Sequence, residues 1–251
     1  VSFAAKLNTL YDAALALVYP QACAACGRAG VEARADAPAC AECWRATRVF
    51  TGAEVLCWKC GAPAAEGARG AGAAGPEAVR CRRCEAEEFT AARACGLYEG
   101  ALRAAVLSLK REPHVGARVL RLLRETRARA PLDAADVIMP APLHPERERE
   151  RRFNQAAVLA RALGKGSRLP LDEQSLVRVT HTARHRAGMD RRARRETVED
   201  AFRVTRPRLV EGRSILLVDD VFTTGATASA CARALKEAGA SEVFVLTVAR
   251  A

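Results

Sequence analysis

The sequence predicts an α/β chain in two parts: a parallel sheet with helices on both faces, preceded by a small cysteine-rich module. Three observations carry this. After residue 90, short apolar runs alternate with stretches of helical periodicity, the pattern of strands joined by crossover helices. Residues 214–227 read Ser-Ile-Leu-Leu-Val-Asp-Asp-Val-Phe-Thr-Thr-Gly-Ala-Thr: a buried-strand run, two acids, a small-residue loop and the start of an Ala-rich helix. Eight of the ten cysteines fall in four Cys-x-x-Cys pairs, all before residue 90.

The chain's 251 residues suggest two units rather than one, a cysteine module over 23–90 and the α/β domain over 91–251, with a docking helix over 1–22 ahead of them. Residues 1–20 carry apolar side chains at helical spacing (Leu7, Leu10, Tyr11, Ala14, Leu15, Val18). Asn8 and Asp12 interrupt them and no clean small-residue cleavage site follows, so a docking helix is preferred to a signal sequence, with peripheral membrane contact as the alternative. No apolar run approaches the roughly 20 residues of a membrane span, and a cytoplasmic location is expected.

The pairs Cys23/Cys26, Cys40/Cys43, Cys57/Cys60 and Cys81/Cys84 each let two thiolates reach one tetrahedral metal. Pairing them in order gives two four-cysteine zinc sites, a double zinc ribbon over 23–43 and 57–84. Disulfides need an oxidising compartment, and a redox pair needs one Cys-x-x-Cys beside a βαβ unit rather than four in loop-rich sequence. All-thiolate sites leave no open position, so the metal is structural. Trp44 follows Cys43, and Trp58 sits inside the Cys57–Cys60 pair. A ring packed over each knuckle is the preferred reading; a stacking platform for nucleobases is the sharper one. Residues 62–79 are Gly/Ala-rich and read as a hairpin tip. Cys95 and Cys231 read as core residues.

In the α/β part the elements are a strand over 92–98, helices over 100–110 and 114–129, a strand over 136–139 ending in Pro140-Ala141-Pro142-Leu143, a helix over 153–163, a short strand over 175–179, the motif strand ending at the acids, its helix to about residue 236, and a last strand over 242–248. A parallel sheet places its site at the strand C-termini. There the loop Thr223-Thr224-Gly225-Ala226-Thr227 opens a helix, whose free amides and dipole favour a phosphate. Asp219 and Asp220 can accept from two neighbouring sugar hydroxyls. Phosphate and diol together describe a ribose 5-phosphate. The string has neither the Gly-Lys-Ser/Thr of a nucleoside-triphosphate loop nor Gly-x-Gly-x-x-Gly.

This string resembles the phosphoribosyl pyrophosphate (PRPP) motif of type I phosphoribosyltransferases. The resemblance implies that Asp219 and Asp220 hold the ribose, that Val221, Phe222 and the 223–227 loop surround the 5-phosphate, and that magnesium accompanies PRPP. Thr223 stands where hypoxanthine- and guanine-specific members carry Asp, which disfavours that specificity. The whole chain resembles the ComF family of late competence proteins, also called amidophosphoribosyltransferase-like or GntX-like. Four blocks match in order: the knuckles; Tyr98-Glu99-Gly100 with Leu102-Arg103 and Lys110; the Pro-x-Pro-Leu turn with Arg152-Phe153-Asn154-Gln155; and the Asp-Asp motif. The family usually has Gly at the position of Arg152, Gln in the basic stretch where Arg186 stands, and Asn near Thr197. The resemblance adds Lys110, Pro142, Leu143, Arg151 and Arg152 as candidate pyrophosphate contacts. Solvated helix ends and faces are the bland readings of Lys110 and of the charge run 146–152.

The net charge of +11 favours anionic partners: PRPP, pyrophosphate or nucleic acid. Arg184, Arg186, Arg191, Arg192, Arg194 and Arg195 form the densest basic segment, read either as a solvated helix or as a contact to a nucleic-acid backbone. Two functions stay open. One is a phosphoribosyltransferase-type protein tied to handling of transforming DNA, with its acceptor unnamed. The other is a factor binding single-stranded DNA, alongside a helicase-like partner, whose PRPP pocket is regulatory or vestigial.

Overall fold

The computed structural model describes residues 22–28, 30–31, 34–64, 79–179 and 201–251. The strands are β1 (Ala91–Ala94), β2 (Val137–Pro140), β3 (Leu176–Arg178), β4 (Phe202–Val204), β5 (Ser214–Phe222) and β6 (Glu242–Arg250). The helices are α1 (Ala41–Ala46), α2 (Gly100–Leu109), α3 (Ala117–Arg127), α4 (Pro145–Arg151), α5 (Gln155–Gly164) and α6 (Ala226–Glu237). Four strands form an all-parallel sheet in the order β1–β6–β5–β2. β3 and β4 form a separate antiparallel pair.

The apolar run of β5 explains the layering. Successive side chains alternate across the sheet. Ile215 and Leu217 join one buried cluster with Met139, Val243, Val245 and the α6 residues Cys231 and Leu235. Leu216 and Val218 join the other, with Leu246, Val248, and Leu102, Leu123 and Leu159 of α2, α3 and α5. Burial on both faces is why the strand reads as a continuous apolar run rather than as an alternation.

The cysteine module divides between these faces. Cys23, Cys40 and Trp44 belong to the α2/α3/α5 cluster; Cys57, Cys60, Cys84 and Phe89 belong to the α6 cluster. The docking is polar as well. Thr47 Oγ1 donates to Cys43 O at 2.7 Å and accepts from Ala101 N at 2.8 Å, tying the first ribbon to the start of α2. On the other side Ala92 N donates to Lys59 O at 2.7 Å and Arg93 Nη1 to Trp58 O at 2.7 Å. Gly61 lies there at φ +67°, and a Cβ on it would meet Ala92 O at 2.5 Å.

Two strands differ from expectation. β1 ends at Ala94, where its regular ladder breaks: Cys95 N and Tyr98 N still donate to Thr247 O and Arg250 O of β6 at 3.1 and 2.7 Å, while the linker after the first ribbon adds Phe50 N to Cys95 O at 2.7 Å and Leu97 N to Arg48 O at 3.0 Å. β5 does not stop at the acids. β6 is long enough to pair Asp219 with Thr247 and Phe222 with Arg250, so the ladder runs on. The second helix begins at Ala117 rather than 114, after Pro113 and Gly116. The docking helix expected over 1–22, apart from Ala22, and the basic segment 184–195 lie outside the described residues. Among the described residues no helix is long and apolar enough to cross a membrane.

Candidate functional site

β5 delivers the acid pair and turns directly into the loop. Asp219 and Asp220 are half-buried, three and two strand positions before Phe222. Gly225 adopts φ +85°, a left-handed conformation that costs an L side chain roughly 1 kcal/mol, and a Cβ there would meet Phe222 Cζ at 3.0 Å. That turn starts α6 abruptly. Thr224 Oγ1 accepts from Ala226 N at 3.4 Å and Ser229 N bonds Gly225 O at 2.8 Å. The first-turn amides of Thr227 and Ala228 have no intrahelical acceptor by helix geometry, which leaves donors for an anion. Asp219, Val221, Phe222, Thr223, Gly225, Ala226 and Thr227 line one narrow cleft.

The carboxylates are electrostatically mismatched. Burial, then the charge of Asp220, push the Asp219 carboxyl up to about 7, against a hydrogen bond from Asp220 N and the nearby charges of Lys110 and Arg178. Lys110, at the C-terminal end of α2, places Nζ 3.9 Å from Asp220 Oδ2. A residue 110 positions before Asp220 in sequence thus meets the pair.

The turn Pro140–Leu143 leaves the sheet beside the acids: Pro140 pairs with Val218, and Ala141 N donates to Val218 O at 2.8 Å. Asn154 holds this turn, its Nδ2 donating to Ala141 O at 3.0 Å while Oδ1 accepts from Ala156 N at 3.0 Å as the cap of α5. Pro142 and Leu143 line a cleft of about 180 Å³ with Asn154 and with Leu176, Val177 and Arg178 of β3. Arg151 bonds Gln155 Oε1 at 3.4 Å. Arg152 caps α4 at φ +68°, the conformation that glycine adopts freely, which accounts for the usual family residue at this position. Both arginines are exposed, and α4 buries no residue. Arg178 was missed from the sequence because nothing in a short strand points to an acid 41 residues on.

The cysteines form two tetrads, Cys23/Cys26/Cys40/Cys43 and Cys57/Cys60/Cys81/Cys84, with their sulfurs within 4.8 Å of one another. Cys23–Cys43, Cys57–Cys84 and Cys60–Cys81 Sγ separations are 3.7, 3.6 and 3.5 Å. A tetrahedral zinc with bonds of about 2.3 Å requires sulfurs about 3.8 Å apart, whereas a disulfide requires about 2.05 Å. Backbone amides of Cys40 and Cys81 donate to Cys23 Sγ and Cys57 Sγ, both at 3.2 Å, as they would to thiolates. The tetrads therefore fit structural zinc, paired in sequence order. Cys95 and Cys231 are fully buried in the core, and burial pushes the Cys95 thiol up to about 12.

The tryptophans differ. Trp44 is buried, donates Nε1 to Asp36 O at 2.6 Å and lies under the Arg118 guanidinium, 4.8 Å from its centroid. That is the knuckle-packing reading, with no ring face left for a base. Trp58 is half-buried beneath Arg93, 5.0 Å from its centroid, and lines a groove of about 530 Å³ with Phe50, Val55, Leu56 and Arg129. Arg191, Arg192, Arg194 and Arg195 lie outside the described residues.

Comparison with known proteins follows the same two-part order. A double zinc ribbon domain matches residues 14–85 and a phosphoribosyl transferase domain matches residues 155–251. The DNA utilization protein YhgH of Salmonella typhimurium is 31% identical over 219 residues, covering 84% of this chain and 89% of that one. Competence protein ComFC of Bacillus subtilis is 38% identical over 115 residues, 45% of this chain and 44% of that one. Competence protein F of Haemophilus influenzae is 33% identical over 137 residues, 54% and 59% of the two chains.

Proposed function

The chain belongs to the ComF family of competence and DNA-utilization proteins, and from that premise we propose that it binds PRPP at the end of β5 and transfers or senses its ribosyl phosphate in the handling of DNA taken up by the cell. The observation that carries this is the half-buried pair Asp219–Asp220 adjoining the 223–227 loop, with Lys110 Nζ 3.9 Å from Asp220. The loop amides hold the 5-phosphate and the carboxylates accept from the two ribose hydroxyls. Lys110 and the backbone of Pro142 and Leu143 face the pyrophosphate, with Arg151 and Arg152 as further cations. Magnesium accompanying PRPP would supply charge neutralisation to the departing pyrophosphate, beside the cations of Lys110, Arg151 and Arg152. An acceptor nucleophile bonds C1, the C1–O bond to pyrophosphate breaks, and pyrophosphate leaves with the electron pair. The protein's contribution is alignment and fixed charge around the positive C1. A cytoplasmic setting suits both PRPP and reduced thiolates.

PRPP with magnesium should raise the melting temperature, by an amount that grows with ligand concentration. Replacing Asp219 and Asp220 together by Ala should abolish that rise while both zinc ions remain bound. A double variant that responds like the wild type would place the ligand elsewhere.

A second reading rests on Trp58 and Arg93 in their open groove: a single-stranded DNA surface that works with a helicase-like partner, with the PRPP pocket regulatory or vestigial. Weak binding with little base preference is expected, its logarithm falling linearly with the logarithm of salt. Neutralising Arg191, Arg192, Arg194 and Arg195 should flatten that slope, whereas Trp58→Ala should lower affinity at constant slope. Absence of binding at low salt removes this reading.

A further inference from the structure

The loop that meets the phosphate is braced from behind by the second cysteine centre. Arg250 ends β6 in register with Phe222, the last residue of β5. Its Nη1 donates to Cys60 O at 2.5 Å, and its guanidinium lies over the Phe222 ring, 5.0 Å from the centroid. One side chain thus joins a carbonyl of the metal knuckle to the residue that launches the loop. Phe89, five residues beyond the last cysteine, meets Phe222 edge to face at 5.7 Å and 84°. Glu87 is buried against the loop: its Cδ is 3.5 Å from where a Cβ on Gly225 would sit. Glu88 N donates to Ser229 Oγ at 2.8 Å, and Ser229 N in turn bonds Gly225 O at 2.8 Å. Three consecutive residues of the ribbon's exit strap therefore touch Gly225, the first turn of α6 and Phe222.

Ordinary domain packing would scatter such contacts over the shared face. Lys59, Trp58 and Gly61 do meet β1, but the contacts of Arg250, Phe89 and Glu87 converge on the two residues that set the loop's path, Phe222 and the left-handed Gly225. The carbonyl that Arg250 grips also belongs to a turn between two tetrad ligands, Cys57 and Cys60, with Gly61 N on Cys57 O at 2.8 Å, so a metal bound there would hold its shape. We propose that the second zinc ribbon is a working part of the phosphate site. Arg250, Phe89 and Glu87 are positioning residues through which metal at Cys57/Cys60/Cys81/Cys84 fixes the loop 223–227 in its phosphate-binding shape. This deepens the PRPP reading and rests on it for the identity of the ligand. Among the described residues the first ribbon bonds α2 and α3, through Thr47 to Ala101 N and Asp36 to Arg118, and it serves as the control.

Coupling between two sites is reciprocal, so a phosphorylated ribose on the loop should also slow zinc loss from the second centre and not from the first. The test uses the full chain with ribose 5-phosphate as probe. Arg250→Met should keep two zinc ions, exchange its 223–229 amide hydrogens about 10-fold faster and bind ribose 5-phosphate about 10-fold more weakly, a typical coupling magnitude. Arg250→Lys, which retains a donor for Cys60 O, should fall between. If Arg250→Met does not fold, Phe89→Leu serves with the same two readouts. Cys26→Ser in the first centre should leave 223–229 exchange unchanged. Unchanged exchange in Arg250→Met or Phe89→Leu, or an equal response to emptying the first centre, overturns the proposal. Faster exchange in a protein whose wild type ignores ribose 5-phosphate upholds the brace and removes the PRPP reading instead.

Discussion

Chelation of both zinc ions is expected to unfold the cysteine module entirely. The module buries few large apolar side chains of its own, chiefly Trp44, Phe50 and Phe89, and Trp44 and Phe89 pack into the two clusters of the sheet domain rather than on one another. A structural zinc contributes an apparent ~10–16 kcal/mol. A whole domain is stable by only about 5–15 kcal/mol. No rearrangement of this apolar surface offsets the loss of two metals. The chain carries a convenient reporter pair, since its two tryptophans lie one in each ribbon. Cys40→Ser should release one zinc and expose Trp44 to solvent, shifting its fluorescence to the red, while Trp58 in the second ribbon stays as it was. Cys81→Ser should do the reverse. Metal analysis by plasma emission gives the stoichiometry. A protein that keeps its fluorescence and melting curve in a strong chelator, or that holds no zinc when purified under reducing conditions, would show that the tetrads fold without metal.

Asp219→Asn is expected to stabilise the fold at alkaline pH while destroying the site. The Asp219 carboxyl is held up to about 7 by burial and by Asp220, from an ordinary 3.8. The neutral form is thus the one that the fold prefers. Its stabilising contribution is complete below about 3.8 and is lost as pH rises through about 7. Above that, the folded wild type carries a poorly solvated charge that Asn lacks. The variant's advantage should be near zero at pH 4, grow between pH 4 and 7, and level off above, at roughly 2–4 kcal/mol. Melting curves of both proteins across that range measure it. A variant less stable than wild type at pH 8 would mean that Lys110 and Arg178 fully compensate the charge. Ribose hydroxyls donating to the pair would favour the ionised form, so binding near pH 6 should release a proton. Such sites commonly trade stability for binding.

The order of elements was legible because it depends on local pattern. A continuous apolar run marks a strand buried on both faces, and β5 is one. Thr-Thr-Gly before an Ala-rich stretch marks a helix start, and Gly225 takes the left-handed conformation that the turn needs. Each knuckle was legible because a two-residue gap already brings two sulfurs together, whereas which knuckles close on each other, in sequence order, is set by the fold. What stayed hidden depends on register and on distant contacts. The end of β5 follows from the length of β6, which fixes the partner of each residue up to Phe222. Lys110 read equally well as a solvated helix end until the fold carried α2 to Asp220. Glu87 and Arg250 carried no signal at all, since an acid after a cysteine pair and a base at a strand end are ordinary in isolation. Trp44 and Trp58 look alike in sequence, each beside a knuckle, yet one is buried under Arg118 and the other borders an open groove.

The hydrogen bonds from Ala92 to Lys59 and from Arg93 to Trp58 have a consequence for self-association. β1 and β2 are the two edges of the sheet, and an uncovered edge is a template for pairing with another chain. The β2 edge is covered by the body itself: Ile138 N donates to Pro170 O and Asp172 N to Ile138 O, both at 2.9 Å. The β1 edge is covered by a metal knuckle at Ala92, and by the linker residues Arg48 and Phe50 just past its end. Zinc starvation would therefore bare one edge and leave the other shut. A sheet with a single open edge can pair with one copy and then stops, so metal-poor protein is expected to stall as a closed dimer rather than to grow into a filament.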